Sequence, residues 1–433
     1  MEKNNKGHLY TEKYRENYDV INIFGGSKLD GTIKISAAKN AVLPLIAACI
    51  LVQGECVIHN FPFLDDTISM LDLLSSMNAK VKIDKIQKCA IIDTSKVSAC
   101  EISKELATKI RSSIFMLGPM LSVLKTGKLY HPGGCKIGER PIDLHIKNLE
   151  KMGASFFIDG SDIVFDGSKL HATNIVLSFP SVGATENLIM ASVLTSGKTT
   201  IIGPAKEPEI VDLVGFLNKA GAKIYGAGTD KIVIVGVKAL KSVEYTPIFD
   251  RIEAGTFLLA AAATRGKVCA VGAKLEQNFA IITKLANSGC KIEINRDRIY
   301  IEGNRINAFN VETEGYPGFP TDLQAPVSAL LVQARGQSVV TENLFEMRYN
   351  HFCELEKMGA HTKKAGNSII IDGVDKLHGA NVVAHDLRCG ACLVIAGLSA
   401  SNLTTIENAG VLRRGYENLI TKLKNLGANL EAK

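Results

Sequence analysis

The chain has 433 residues, of which 46% are hydrophobic, 22% charged and 6% aromatic. This composition excludes a largely disordered protein, and the length is sufficient for two or three domains. Fifty basic and 44 acidic residues give a formal net charge of +6, and tryptophan is absent. Such a mild basic excess argues against a nucleic-acid-binding protein and suits an anionic small molecule as ligand.

The first twenty residues carry four basic and four acidic side chains and no apolar core. They predict a solvated lead-in and not a signal peptide. The longest apolar run, Ala41 to Val52, contains Pro44 and is shorter than the roughly twenty residues of a membrane span. The ten cysteines are expected to be reduced thiols, so the sequence predicts a cytoplasmic protein with no membrane partner.

An internal repeat dominates the chain. An amphipathic helix that ends in a small-residue turn and leads into a strand occurs six times, at intervals of 68 to 75 residues. The turns begin with residues that tolerate the left-handed conformation, glycine or asparagine. These turn residues are Asn78, Gly153, Gly221, Gly289, Gly359 and Gly427. A second helix, rich in Ala, Ser and Gly and apolar on nearly all sides, recurs on the same period and is predicted to be buried.

Six units of about seventy residues, each with a sheet and two helices, predict an α/β fold. The simplest packing is two groups of three units, with the buried helices inside, the sheets outside and a boundary near residue 250. A ligand would then be expected in the cleft between the two domains. A solenoid is the alternative, although its units usually have about 20–50 residues.

The loop from Tyr130 to His145 departs from the repeat and carries Cys135 at its tip. Lys136 and Arg140 are close in sequence, and nearby cations favour the reactive thiolate. We therefore predict a reactive Cys135, the alternative being an inert, buried cysteine. The Gly-Gly-Cys-Lys-Ile-Gly segment lacks the spacing of a nucleotide-binding P-loop, so an NTPase is disfavoured.

Basic side chains recur at the starts of repeat elements, where helix amino termini also attract anions. As a set they suit phosphate and carboxylate groups, although each alone could be a solvated surface charge. The set comprises Lys39 beside Asn40, Arg111, Arg140, Arg348, Arg388 and Arg414. Asp322 begins the fifth buried helix and either complements the helix dipole or acts as a general base. The pair Cys389 and Cys392 opens an apolar run and is predicted to be core and not a metal or redox site.

Seven motifs carry a resemblance to a known family: AAKNAVLP, PGGCKIGERPIDLH, PSVGATEN, KEPEIVDL, DRIEAGTF, FPTDLQA and RRGYENL. From about residue 19 to 430 the sequence resembles the UDP-N-acetylglucosamine 1-carboxyvinyltransferase (UDP-GlcNAc enolpyruvyl transferase) family. The resemblance implies a two-domain inside-out α/β barrel, with three βαβαββ repeats in each domain. It implies one domain of residues 1–38 and 250–433 and another of residues 39–249, with the active site in the cleft between them.

The resemblance also implies an activity. The family transfers the enolpyruvyl group of phosphoenolpyruvate to the 3′-hydroxyl of UDP-N-acetylglucosamine and releases phosphate, the first committed step of peptidoglycan synthesis. Asp322 would accept the hydroxyl proton, and Cys135 would act as an acid and be the site that fosfomycin modifies. No metal or organic cofactor is implied, and we expect a monomer or a weak homo-oligomer.

Further site residues are implied by position in the motifs. Lys39, Arg140 and Arg414 would hold the donor phosphate and take part in catalysis, with Asn40 beside them, whereas Arg348 and Arg388 would lie near the donor carboxylate. The nucleotide sugar would contact Arg111, Arg140, Pro141, Ile142, Asp143, Leu144, Ser181, Val182, Gly183, Asp322 and Leu344.

Two departures from the family pattern adjoin predicted site residues: Arg413 stands where an aspartate is usual, and Met347 where an asparagine is usual. Two further departures are Ala37, where a glycine is typical, and Phe179, where some members carry a lysine. They leave open a catalytically altered paralogue that binds the nucleotide sugar without reaction. The other alternative is 5-enolpyruvylshikimate-3-phosphate synthase, which shares the fold and the donor. The presence of Lys39, Cys135, Arg140 and Asp322 argues against the first alternative, and the Cys135 loop argues against the second.

Overall fold

The computed structural model describes residues 16–98, 101–102, 104–134, 138 and 141–433. The chain divides into two compact units. Residues 37–134 and 141–248 belong to the first unit, and residues 16–36 and 249–433 belong to the second.

The described part of the first unit contains three small sheets. Across the first sheet, from one edge to the other, the strands are Val243–Tyr245, Glu55–His59, Cys89–Asp93 and Lys80–Asp84. Across the second they are Thr126–Tyr130, Asp162–Asp166 and Ser155–Asp159, and across the third Lys223–Tyr225, Lys231–Val235, Lys198–Ile202 and Asn174–Val176.

The second unit repeats this plan in three four-stranded sheets. They are Lys291–Asn295, Arg298–Glu302, Lys267–Val271 and Asp30–Lys34; Val311–Glu312, Gln337–Thr341, Ser368–Asp372 and His361–Ala365; and Asn381–Val383, Leu403–Glu407, Ile21–Phe24 and Leu430–Ala432. Strand Ile21–Phe24 pairs on one side with Leu403–Glu407 and on the other with Leu430–Ala432. The two ends of the described chain therefore close the same sheet.

In each four-stranded sheet one outer strand is parallel to its neighbour and the other pairings are antiparallel. In Lys198–Ile202, for example, one edge pairs antiparallel with Lys231–Val235 and the other pairs parallel with Asn174–Val176. Within Lys231–Val235, Ile232 and Ile234 are buried while Lys231 and Val235 are exposed. This alternation is what a strand with one face on the core requires.

The nearly all-apolar helices predicted to be buried are buried, and within each unit they pack against one another. In the first unit these are Lys39–Val52, the 3₁₀ turn Arg111–Met116 that leads into Leu117–Val123, and Val182–Ser192. In the second unit they are Arg251–Ala263, the 3₁₀ turn Thr321–Leu323 that leads into Gln324–Leu331, and Leu387–Ser399. Their small side chains permit close approach, as at Gly118, where an added Cβ would lie 2.5 Å from the carbonyl oxygen of Asn187.

Most of the remaining helices contact both a buried helix and a strand of their own unit. The remaining helices are Asp65–Ser76, Lys104–Lys109, Asp143–Lys151, Pro208–Lys219, Leu275–Ser288, Asn350–Lys357, the 3₁₀ turn Ala409–Arg414, and Leu419–Asn425. The six predicted turn residues that follow the amphipathic helices all have positive φ, from 70° at Asn78 to 118° at Gly289. The predicted left-handed ends are therefore confirmed, and they account for glycine or asparagine at this point of each repeat.

Each unit has its own large hydrophobic cluster, built from the buried helices and the inner faces of its sheets. A solenoid would instead spread its core along a row of repeats, so that alternative is not supported. Within the described ranges, no helix combines the length and the apolar character that crossing a membrane requires.

Candidate active site

In the first unit, Lys39 lies at the amino end of the buried helix Lys39–Val52. Its Nζ is 3.3 Å from Oδ2 of Asp66, and the two side chains are only 12% and 8% exposed. The ammonium group and the positive end of the helix dipole together favour an anion. Asp66 fixes the direction of the ammonium group. Asn40, the next residue of the helix, is half-buried.

A neutral network links three elements of the first unit. The Asn187 side chain accepts a hydrogen bond from the backbone N–H of Gly118 at 2.8 Å and donates to the carbonyl oxygen of Ile114 at 3.0 Å. Its Nδ2 is also 2.8 Å from Nδ1 of His145. We refer to these four residues as the His145–Asn187 network. It ties helix Asp143–Lys151 and helix Val182–Ser192 to the 3₁₀ turn that begins at Arg111.

The His145 ring in this network is neutral. Burial, together with the positive charge of Arg111, lowers the pKa of His145 to about 4. Since the Asn187 Oδ1 is taken up by Gly118, its Nδ2 is the donor, and the proton of the imidazole is on Nε2. A Cβ at Gly183 would lie 3.0 Å from Cε1 and 3.3 Å from Nε2 of His145. Glycine at this position therefore keeps the space beside the ring open.

The other predicted nucleotide-sugar residues of the first unit lie on the same elements. Ser181 caps helix Val182–Ser192, with its hydroxyl accepting from the N–H of Ala184 at 3.3 Å. Asp143 begins helix Asp143–Lys151 and pairs with Lys147 at 3.1 Å. Exposure differs among the predicted residues: Pro141 is exposed, Ile142 is buried, and Arg111, Asp143, Leu144, Ser181, Val182 and Gly183 are half-buried. The His145–Asn187 network thus brings together the elements on which the predicted residues lie.

In the second unit, Asp322 lies between two arginines. Its Oδ1 accepts a hydrogen bond from Nη2 of Arg348 at 2.8 Å, and its Oδ2 accepts one from Nη2 of Arg388 at 2.7 Å. Both arginine side chains are buried, 5% and 4% exposed, whereas Asp322 is 24% exposed. We refer to these three residues as the Asp322 cluster. Three of the predicted site residues are therefore in direct contact, although they are far apart in sequence.

Surrounding side chains fix both arginines. Arg348 also donates from Nη1 to the Thr321 hydroxyl at 2.8 Å, and that hydroxyl donates to Oε2 of Glu342 at 2.8 Å. Arg388 donates from Nη1 to the Tyr416 hydroxyl at 3.1 Å. Burial is the largest single influence on Arg388 and lowers its pKa, but the negative charges of Asp322, Tyr416 and Asp250 and the hydrogen bond to Asp322 together raise the pKa above its ordinary value, so the guanidinium stays charged.

Buried Glu342 orients the segment that contains Leu344. Its Oε1 accepts from the N–H groups of Leu344 and Phe345, at 2.9 and 3.2 Å, and from the Thr313 hydroxyl at 2.9 Å. Because Oε2 of the same carboxylate holds Thr321, one side chain positions both the Leu344 segment and the turn that carries Asp322. Asp386 plays a similar part at the start of helix Leu387–Ser399, where it accepts from the N–H of Arg388 at 2.8 Å.

Arg414 is half-buried at the end of the 3₁₀ turn Ala409–Arg414. The adjacent Arg413, one of the departures from the family pattern, donates from Nη1 to the carbonyl oxygen of Tyr18. Its guanidinium also lies over the Tyr18 ring, 5.6 Å from the centroid. The side chain of Arg413 is therefore engaged with the segment that precedes the first strand. Met347, another departure, is 58% exposed.

Two predicted catalytic residues, Cys135 and Arg140, lie outside the described residues. Cys389 and Cys392 are buried, as predicted for core residues, and burial raises the pKa of Cys389 to about 12. Within the described residues, no group of three or more His, Cys, Asp or Glu side chains is arranged to hold a metal ion.

Sequence reasoning missed several residues that hold the site. Asp66 follows Asp65 at the start of a helix and has the appearance of an ordinary helix-start acid. His145 and Asn187 are the last residues of the motifs PGGCKIGERPIDLH and PSVGATEN, so the motifs could have identified them as site residues. No local pattern pointed to Glu342 or Tyr416, because their partners come from other repeats.

Comparison with known proteins places the chain in a family. The sequence model of the EPSP synthase (3-phosphoshikimate 1-carboxyvinyltransferase) family matches residues 23–423. UDP-N-acetylglucosamine 1-carboxyvinyltransferase 2 of Clostridium tetani is 46% identical over 411 residues, 95% of this chain and 99% of the relative. UDP-N-acetylglucosamine 1-carboxyvinyltransferase 1 of Staphylococcus epidermidis is 44% identical over 416 residues, 95% of this chain and 99% of the relative.

The chain belongs to the UDP-N-acetylglucosamine 1-carboxyvinyltransferase family. The predicted resemblance and the assignment as a transferase are thereby confirmed. Relatives at this identity carry the name of the nucleotide-sugar enzyme, which disfavours the alternative of a 5-enolpyruvylshikimate-3-phosphate synthase.

Solved structures support the fold. The enolpyruvyl transferase NikO from Streptomyces tendae superposes with a TM-score of 0.86 at 22% identity, covering 96% of this chain and 99% of that one. EPSP synthase from Acinetobacter baumannii gives a TM-score of 0.72 at 19% identity, covering 96% and 100%. At these identities the likeness concerns the fold alone, and it confirms the predicted α/β fold class.

Proposed function

We propose that this protein transfers the enolpyruvyl group of phosphoenolpyruvate to the 3′-hydroxyl of UDP-N-acetylglucosamine and releases phosphate. The observation that carries the proposal is the Asp322 cluster, in which a carboxylate able to accept a proton adjoins two buried guanidinium groups able to bind a carboxylate. The names of relatives at 44% to 46% identity supply the nucleotide-sugar acceptor and the transferred carboxyvinyl group, and phosphoenolpyruvate is the donor that the family resemblance implies.

The first step of the proposed reaction is addition. Asp322 accepts the proton of the sugar hydroxyl while the hydroxyl oxygen forms a bond to C2 of phosphoenolpyruvate. The electron pair of the C2–C3 double bond takes a proton at C3, and Cys135 is the proposed donor of that proton. The product is a tetrahedral ketal that still carries the phosphate group.

The second step is elimination. The Cys135 thiolate that the first step left takes a proton from the C3 methyl group, the double bond between C2 and C3 forms again, and the C2–O bond to phosphate breaks. The leaving phosphate takes up the proton held by Asp322, so the balance is one enolpyruvyl ether, one inorganic phosphate and both side chains in their starting protonation states. Lys39, Arg140 and Arg414 are the proposed partners of the phosphate, on which negative charge accumulates as it leaves.

The remaining residues are proposed to bind the substrates. Arg348 and Arg388 take the donor carboxylate, and Asn40 lies beside the donor phosphate. The residues proposed to bind the nucleotide sugar are Arg111, the segment from Arg140 to Leu144, the segment from Ser181 to Gly183, and Leu344. The His145–Asn187 network supports this assignment, because it fixes the elements that present these residues without adding a charge to them.

Phosphate release from phosphoenolpyruvate by the purified protein tests the proposal, measured with and without UDP-N-acetylglucosamine. Release that depends on the nucleotide sugar establishes donor, acceptor and reaction type together. Shikimate 3-phosphate is the matched acceptor control and should give no release. If the protein binds UDP-N-acetylglucosamine but releases no phosphate from phosphoenolpyruvate, it is a paralogue that binds the nucleotide sugar without catalysis.

A separate experiment addresses Cys135. In the presence of UDP-N-acetylglucosamine, fosfomycin should add one molecule covalently, and an intact-mass spectrum detects the adduct. Cys135→Asp should lose the adduct while it keeps part of the turnover, because a carboxyl group can also donate a proton. An unmodified wild-type protein would remove Cys135 as a reactive thiol.

We further propose that the protein works in the cytoplasm, in peptidoglycan synthesis, as a monomer or weak homo-oligomer. The cysteines that the structure describes are free thiols, and all of these except Cys353 are buried, which supports a reducing compartment.

A further inference from the structure

The Asp322 carboxylate occupies the two arginines that are assigned to the donor carboxylate. Both of its oxygens are engaged, at 2.8 Å from Arg348 and 2.7 Å from Arg388. A carboxylate bound between two buried guanidinium groups is the arrangement that a substrate carboxylate would adopt there. Asp322 is also the proposed base, and at each of its oxygens the acceptor hydroxyl must compete with a guanidinium group.

Arg348 has a hydrogen-bond donor, Nε, that does not contact Asp322. Its Nη1 donates to Thr321 and its Nη2 donates to Asp322. Among the described residues, no acceptor lies within hydrogen-bond distance of its buried Nε. Nε and Nη2 form one edge of the guanidinium plane, and a carboxylate bound side-on uses both donors of that edge. The contact with Asp322 therefore fills half of the edge and leaves a buried donor unmet.

We propose that Asp322 holds the donor's carboxylate site in the free protein and that the carboxylate of phosphoenolpyruvate displaces it from Arg348. This inference rests on the proposed function. The exchange makes and breaks hydrogen bonds only. Nη2 of Arg348 stops donating to Asp322 and donates to the donor carboxylate, which also accepts a hydrogen bond from Nε of Arg348. Oδ1 of Asp322 is then open to accept the proton of the sugar hydroxyl.

The contact between Asp322 and Arg388 is retained in this exchange. Arg388 is fixed by Tyr416 through Nη1, and the Tyr416 hydroxyl is 2.9 Å from that of Thr256. Oδ2 of Asp322 therefore keeps its hydrogen bond to Arg388, while Oδ1 exchanges Arg348 for the hydroxyl of the sugar. When the donor binds, the base is released from one of its two guanidinium contacts, so the acceptor hydroxyl is activated more readily when C2 is present to form the new bond.

Binding of two non-reacting anions tests the inference by calorimetry without the nucleotide sugar. The first probe is 2-phospholactate, the saturated analogue of the donor, and the second is isopropyl phosphate, which lacks the carboxylate. In Asp322→Asn the internal competitor loses its charge, so we expect phospholactate to bind about tenfold more tightly relative to isopropyl phosphate. Asp375→Asn, which removes an exposed carboxylate that pairs with Arg305, is the matched control and should change neither affinity.

A second variant keeps the test decisive if Asp322→Asn does not fold. Arg348→Lys retains the charge but removes the Nε–Nη2 edge, so phospholactate should bind about tenfold more weakly while isopropyl phosphate is unaffected. A crystal structure with phospholactate should place its carboxylate on Nε and Nη2 of Arg348, with Asp322 Oδ1 no longer in contact.

Weaker phospholactate binding by Asp322→Asn would overturn the inference, because Asp322 would then be needed to hold the arginines in place. An equal gain for both probes would also overturn it, because the gain would be general electrostatic attraction. The proposed function fails by a different observation, the absence of phosphate release that depends on UDP-N-acetylglucosamine in the wild-type protein. The two failures are therefore distinguishable.

Discussion

The two units build their site residues on the same kind of buried helix but with different chemistry. In the first unit, helix Val182–Ser192 carries Asn187, which meets a neutral imidazole and backbone groups. In the second unit, helix Leu387–Ser399 carries Arg388 in its first turn, and Arg388 contacts a carboxylate and a phenol. A neutral network fixes geometry, whereas an ionic cluster also sets the charge that a ligand must carry.

The difference teaches how one repeat can serve two substrates. The capping residues follow the same division, since Ser181 caps the helix in the first unit and Asp386 caps the one in the second. Both satisfy the free N–H groups of a helix start, and only the second adds a negative charge close to an arginine. Side chains at these two helix starts therefore decide whether the local cluster is neutral or ionic, while at another helix start of the first unit Lys39 supplies a positive charge.

The largest effect is expected at the ionic cluster. Asp322→Asn keeps the shape of the side chain but cannot accept a proton, so kcat should fall by about two to four orders of magnitude. The phosphate-release assay measures the loss, and a thermal unfolding curve checks that the fold is kept. The exposed substitution Asp375→Asn is the control and should leave kcat unchanged. Near-normal turnover of Asp322→Asn would remove Asp322 as the base.

The neutral network should respond in stability and in nucleotide-sugar affinity. Asn187→Ala leaves the N–H of Gly118, the carbonyl of Ile114 and Nδ1 of His145 without their partner, and we expect a loss of about 2–4 kcal/mol in the free energy of unfolding. Denaturant unfolding measures this loss. KM for UDP-N-acetylglucosamine should rise more than kcat falls, because the network positions binding elements and contacts no reacting atom.

Asn295→Ala is the matched control for this prediction, since Asn295 is exposed at the end of strand Lys291–Asn295. It should change the unfolding free energy by less than about 0.5 kcal/mol. A similarly small change for Asn187→Ala would mean that the network does not hold the elements together.

Acid should lower the folding stability of the protein through His145, the buried histidine of the His145–Asn187 network. The folded pKa of His145 is about 4, below the ordinary value of 6.5, so the unfolded chain binds the extra proton between these pH values. The contribution of His145 to stability is therefore complete above pH 6.5 and is lost as pH falls toward 4, by about 3 kcal/mol. Unfolding curves of His145→Gln between pH 4 and 7 should show a shallower dependence than those of the wild-type protein.

The second unit has its own buried histidine, His351, whose pKa is lowered to about 3 by burial and by the positive charge of Arg348. His351→Gln should flatten the same pH dependence, with its effect extending to lower pH than that of His145→Gln. If neither variant changes the slope, acid sensitivity arises from carboxylates instead.

The repeat could be predicted because its cause is local. A glycine or asparagine at a left-handed helix end and an apolar helix face are both visible in a short stretch of sequence, and the positive φ values confirm them. The contacts of Asp322 could not be predicted in this way, because Arg348 and Arg388 reach it across 26 and 66 residues. Which charges meet is decided by how the repeats pack, and that packing leaves no local mark.

The smallest effect is expected at Arg413, which departs from the family pattern beside the predicted site residue Arg414. By adjacency it would place an extra charge beside Arg414, but its guanidinium contacts Tyr18, 395 residues away in the chain. Arg413→Ala should therefore cost about 1 kcal/mol in the free energy of unfolding and leave turnover within about twofold. Arg413→Lys should recover only part of the stability, because an ammonium group cannot stack as a plane on the ring. A tenfold change in turnover with unchanged stability would instead show that the charge of Arg413 acts on the phosphate assigned to Arg414, and the departure from the family pattern would then be functional and not structural.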